Sequence, residues 1–181
     1  GKQPANGQEN CQAEVFRKVK VRFNGQKLWY DRSRQEVSVL EAYAEKIRKK
    51  YRTSDPFELA QAMGIMVLYE PLGSIKGYFN TAFRQRFVHI NQSLDEQQQR
   101  LTMAHEMGHV LLHPKTNTYF LRTNTRFSVG SFEYEANAFA ACFLISREMI
   151  EENLEYTVGQ MAAMFGIPED WMQLRLELLE A

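Results

Sequence analysis

The chain has 181 residues, 44% of them hydrophobic and 24% charged, and its 22 basic and 22 acidic side chains balance to zero. That is the composition of an ordinary globular protein with room for one core and a small appendage, and it excludes disordered and collagen-like classes. No apolar run approaches the roughly 18 residues of a membrane-spanning helix. Two cysteines, Cys11 and Cys142, make no disulfide framework, so the expected compartment is a reducing cytoplasm.

The charge is unevenly spread. Residues 1–52 hold 13 basic and 6 acidic side chains, and residues 133–181 hold 2 basic and 10 acidic ones. The basic end reads as a solvated face rather than a nucleic-acid surface. "GKQPANGQEN" lacks the apolar stretch of a secretory signal and reads as a flexible tail. "VKVRFNGQKLWYD" alternates apolar and basic residues around Asn24-Gly25, the pattern of a β-hairpin with a two-residue turn.

The spacing of Leu40, Tyr43, Ala44, Ile47 and Tyr51 predicts a helix over 38–51. "SDPFELAQAMG" predicts another, capped by Ser54 or Asp55, with Pro56 in its first turn and Gly64 as its stop. "IMVLYEP", residues 77–83 and residues 86–91 predict three short strands. Strands lying between helices point to an α+β domain with a small three-stranded sheet.

Ser93 and Glu96 have capping-box spacing and predict the start of a helix that runs to about His113, where Pro114 stops it. This helix carries "LTMAHEMGHVLLH". His105 and His109, four residues apart, share a helix face and can aim two imidazole nitrogens at one ion. Glu106, about 100° around, reaches the open side without ligating and suits a general base. The bland alternative is a core helix with two satisfied histidines. Gly108 in the helix interior costs about 1 kcal/mol relative to Ala, which suggests close packing against a neighbour.

A catalytic zinc site takes three protein ligands and leaves a position for water. His113 lies about 12 Å along the helix axis from His105 and cannot bend back onto the ion; it is expected to cap the helix C-terminus, where positive charge is favourable. After a polar stretch over 114–132, read as loop or irregular strand, "FEYEANAFAACFLISREMIEENL" predicts a helix. Phe132, Ala136, Phe139, Ala140 and Phe143 form its buried stripe. Glu133 and Glu135 are the candidate carboxylates, about 200° apart on this helix. Spacing favours Glu133, because Asn137 shares its face and can support a ligand by hydrogen bonding. An exposed glutamate at a helix start is the alternative. Residues 157–181 predict two helices around a Gly166–Pro168 turn.

Taken together, "FVHIN…RLTMAHEMGHVLLH…FEYEANAFAACFLIS" and "ELAQAMGIMVLYEPL…KGYFN" resemble the ImmA/IrrE metallopeptidases, over about residues 54–150. The resemblance implies a small zincin-like peptidase domain with Zn²⁺ on His105, His109 and Glu133 and with Glu106 as general base. It further implies a protein substrate, a helix-turn-helix repressor of the kind found on mobile elements. Two features depart from the family pattern: Ser146 stands where relatives commonly have a proline, and residues 1–36 form an extension. The expected organisation is this extension, a peptidase domain over 37–150 and a C-terminal helical pair over 151–181.

His89 and Tyr78, on strands before the zinc helix, are candidates for stabilising a tetrahedral intermediate if the strand of His89 lines the cleft and pairs with substrate. Both read more simply as ordinary strand residues. Ala162, Gly166 and Met172 have helix-turn-helix spacing, but Glu169, Asp170, Glu177 and Glu180 against a lone Arg175 would repel a duplex, so direct nucleic-acid binding is not expected. The sequence thus points to a zinc-dependent endopeptidase. The alternative is a DNA- or partner-binding regulator, such as a toxin–antitoxin component, with a structural or inactive zinc site.

Overall fold

The computed structural model describes the backbone of residues 18–23, 26–31, 34–114 and 129–179, with side chains for 39–114 and 130–179. The expected tail and most of the 114–132 stretch lie outside the described residues. Strands β1 (Lys18–Phe23) and β2 (Gln26–Asp31) pair antiparallel, with Phe23 opposite Gln26, while the expected turn residues Asn24 and Gly25 lie outside the described residues. Helix α1 (Arg34–Tyr51) starts ahead of the expected residue 38, so the boundary drawn at 36 falls within it. It buries Ala44 and Ile47. Of the two cap candidates for α2 (Pro56–Ala62), Asp55 takes the role: its carboxylate accepts from the backbone N–H of Phe57 and Glu58. Gly64 at φ +66 follows the helix in the left-handed conformation that a glycine tolerates.

The three remaining strands, β3 (Met66–Glu70), β4 (Gly77–Ala82) and β5 (Gln85–Asn91), form a mixed sheet in the order β3-β5-β4. Strand β5 is central, parallel to β3 and antiparallel to β4. Phe79, Val88 and Ile90 are fully buried on the inner face. At Gly77 a Cβ would lie 2.6 Å from Thr102 Cγ2 and 2.8 Å from the His89 carbonyl oxygen, so glycine lets the next helix lie directly on the sheet.

That helix is α3 (Glu96–Leu112). Its capping box is Asp95 with Gln98, not Ser93 with Glu96. The Ser93 hydroxyl instead donates to Asn91 Oδ1, and the helix begins two residues beyond that turn. Helix α4 (Val129–Leu144) crosses α3 where Gly108 meets Ala136, backbone on backbone. Of the expected stripe, Ala136, Phe139, Ala140 and Phe143 are fully buried while Phe132 is only half-buried, and Cys142 is a free buried thiol whose pKa burial pushes up to about 11.

The long helix expected from Phe132 onward breaks at Ile145–Ser146. Ser146 caps a new helix, α5 (Arg147–Glu151), by accepting from Met149 N–H, which gives the departure from proline a local role. Helices α6 (Val158–Phe165) and α7 (Glu169–Leu179) flank Gly166, left-handed at φ +64. Met161, Ala162, Met172 and Leu178 join them to the core, with α7 lying on α4 and α1. Arginines satisfy the carbonyls at the end of α4: Arg48 donates to those of Cys142 and Phe143, and Arg175 Nε donates to Ile145 O at 2.9 Å. None of the described helices is long and apolar enough to cross a membrane.

Candidate metal centre

Buried on α3, His105 and His109 bring their Nε2 atoms to 3.1 Å from each other. The crossing at Gly108 and Ala136 delivers Glu133 from α4: Oε2 lies 3.3 Å from His105 Nε2, and Oε1 lies 3.2 Å from His109 Nε2. The donors of the three residues all fall within 4.8 Å of one another. An ion bound tetrahedrally at about 2.0–2.1 Å holds its donors roughly 3.3–3.4 Å apart, so this triangle of two imidazoles and one carboxylate, whose two oxygens each face a different imidazole, has about the size such a site needs. Glu133 Oε1 is buried without a hydrogen-bond donor among the described residues. A carboxylate oxygen left so is costly unless a cation meets it. The donor set fits a divalent metal.

Local hydrogen bonding sets the electronic state of these donors. His105 Nδ1–H donates to Asn137 Oδ1 at 2.7 Å, which places the ring proton on Nδ1 and leaves the Nε2 lone pair facing the triangle. Burial pushes the Glu133 pKa up, but the neighbouring His105 and His109 outweigh it and hold this carboxyl well below the usual range. Glu106 is fully buried one residue from His105.

The other histidines go elsewhere. His113 is the C-cap of α3 by position, but it offers no positive charge there: burial foremost, then the neighbouring His109, lowers its pKa to about 4. Its Nε2 lies 3.4 Å from Glu135 Oε2, and its ring packs edge-on to Phe132 at 4.5 Å. Glu135 therefore turns away from the triangle. His89 Nδ1–H donates to Glu70 Oε2 at 2.5 Å, and the ring stacks on Tyr78 with centroids 4.2 Å apart.

Strand alternation places this pair on the sheet face opposite Gly77, Val88 and Ile90, hence away from α3. Edge pairing of β5 with a substrate is corrected, because β5 already has a strand neighbour on each side.

One residue beside the centre was not singled out from the sequence. Trp171 on α7 stacks obliquely on the His105 ring, centroids 6.5 Å apart at 27°. Its only sequence signal is an aromatic among charged residues in the last helix.

An α+β domain in which a buried His-Glu-x-x-His helix meets a carboxylate from a second helix has the architecture of a metallopeptidase. The chain belongs to the peptidase family described as the IrrE N-terminal-like domain, which matches residues 60–177. It is 33% identical over 147 residues to "Uncharacterized immunity region protein 2" of Bacillus phage phi105, covering 80% of this chain and 93% of that protein. It is 30% identical over 130 residues to metallopeptidase ImmA of Bacillus subtilis strain 168, covering 68% and 76%. Its fold is similar, at TM-score 0.58 and 20% identity, to a solved Mycobacterium tuberculosis transcriptional regulator, with 81% of this chain covering 52% of that one.

Proposed function

We propose that the chain is a zinc-dependent endopeptidase that cuts a regulatory protein, a helix-turn-helix repressor, in the cytoplasm. The observation that carries this reading is the triangle of His105 Nε2, His109 Nε2 and the Glu133 carboxylate. These residues would hold the ion, and Asn137 keeps His105 in the tautomer that ligates. Zn²⁺ in such a site lowers the pKa of water towards about 7 and polarises a carbonyl. Glu106 does the proton work: its carboxylate takes the proton of the attacking water and delivers it to the leaving amine.

Similarity to a protein named as a metallopeptidase, and to a phage protein named for an immunity region, supports a peptidase directed at a regulator. The alternative, a DNA-binding regulator using the last two helices, is opposed by Arg175. This lone basic residue of α7 is fully buried and engaged by Glu41 and Ile145 O.

The test is Glu106→Gln, made in the full chain and incubated with candidate repressors under mass spectrometry. Metal content stays at the wild-type level and cleavage disappears. Proteolysis that survives the substitution ends the mechanism.

A further inference from the structure

The proposed chemistry uses only α3 and α4, yet α7 also reaches the centre. The α6–α7 turn lies against the first turn of α3, where a Cβ on Gly166 would meet Gln97 Nε2 at 2.3 Å. Further on, the Trp171 ring stands beside that of His105, with centroids 6.5 Å apart. Trp171 is half-buried, unlike Met172, Arg175 and Leu178 around it, which are closed off. A large ring that is neither sealed in the core nor fully in water therefore stands beside an imidazole of the candidate centre.

We propose that Trp171 is the specificity-determining residue of this site: the part of its ring that stays accessible receives a large apolar side chain of the polypeptide substrate. The inference rests on the peptidase reading. An indole offers one of the largest apolar contact areas of any side chain and gives up little rotamer freedom in doing so, which is why such residues dominate recognition energetics.

Its surroundings add a second preference. Glu169 and Asp170, immediately before it, are exposed. Over residues 151–179 the only basic side chain is Arg175, and it is fully buried. A substrate approaching Trp171 therefore meets negative charge with no exposed cation on this stretch, which favours lysine or arginine beside the apolar residue and repels nucleic acid.

The experiment uses the full chain carrying Trp29→Phe, so that Trp171 is the sole tryptophan, together with Glu106→Gln, so that nothing is cut. Loading with Co²⁺ quenches Trp171 emission if the ring lies beside the ion. The zinc-loaded protein is then titrated with peptides of about twelve residues in which Leu alternates with Lys, Ser with Lys, or Leu with Glu. The Leu–Lys peptide shifts Trp171 emission to the blue and binds about tenfold more tightly than either of the others.

With binding read by labelled peptide, Trp171→Ala keeps the metal but loses the preference for Leu over Ser, and Trp171→Phe largely restores it. Unchanged emission, or a Leu preference that survives Trp171→Ala, overturns the proposal. Because binding is read without hydrolysis, a wild-type chain that cuts no repressor while Trp171 still selects Leu would sink the peptidase reading and leave the contact standing.

Discussion

His105 on α3 and Asn137 on α4 are joined by a 2.7 Å hydrogen bond that passes from the imidazole Nδ1–H to the amide Oδ1. It ties the orientation of one donor to the helix that supplies another, because Glu133 stands one turn before Asn137 on α4. Removing such outer partners of a ligand costs about 10–100-fold in metal affinity. Asn137→Ala is expected to weaken zinc by that factor in competition with a chromogenic chelator, with little change in secondary structure. An unaltered affinity would mean that packing alone orients His105.

Gly108 is a second point of dependence. A Cβ there would lie 2.8 Å from Ala136 O and 2.9 Å from Ala136 Cα, in contact with backbone that cannot swing aside. Alanine gains about 1 kcal/mol of helix propensity, whereas overpacking costs about 1–3 kcal/mol and separates the helices. Gly108→Ala should therefore lower stability by roughly 1 kcal/mol in urea titration. It should also weaken metal binding, since Glu133 and the two histidines sit on opposite sides of this contact. A variant of wild-type stability and affinity would show that the crossing can relax.

Much of this was legible in the sequence because it is local. The strands over 66–91 follow from β-type runs between turn residues, and the i, i+4 pairs His105/His109 and Glu133/Asn137 each announce a shared helix face. What the sequence hid depends on tertiary partners. Ser93 has capping spacing, but its hydroxyl is engaged by Asn91, and Asp95 caps instead. Arg175 reads as a surface charge until Glu41, 134 positions away, is seen to pair with it. The central place of β5, and the oblique stack of Trp171 on His105, follow from strand order and helix docking, which residue spacing does not encode.

The buried neutral His113 gives the metal-free protein a pH dependence. Its pKa falls from 6.5 to about 4 on folding, chiefly through burial. Between those values the unfolded chain binds the extra proton and the folded one does not, so stability rises with pH across this window. The contribution is complete above the unfolded pKa and is lost progressively as pH falls through about 6.5 towards 4. Thermal melts of the chelator-treated protein should thus drop in Tm from pH 7 to pH 4.5, and His113→Gln should flatten the slope. Equal slopes in the two proteins would assign the acid sensitivity to other groups.

Arg175 supplies the last prediction, through an asymmetry. Its Nη2 lies 2.8 Å from Glu41 Oε1 and its Nε bonds Ile145 O, while Nη1 has no hydrogen-bond partner among the described residues. Glu41 has a second cation, Arg147, at 2.8 Å, and its side chain keeps 13% of its exposure, whereas Arg175 keeps none. Deleting Glu41 therefore strands a buried guanidinium, but deleting Arg175 leaves a carboxylate with another partner and some water. Breaking a buried pair from the side that strands a charge costs about 3–5 kcal/mol, whereas exchanging the buried ion for an apolar chain of similar length can be close to neutral. Urea unfolding of Glu41→Ala and Arg175→Met should differ in that order, with the first losing about 3 kcal/mol and the second distinctly less. The larger loss should also release α7, so Trp171 emission, read in the Trp29→Phe background, is expected to move to the red in Glu41→Ala. Equal destabilisation by the two substitutions would mean that Arg175 is hydrated and that the pair is not a buried latch.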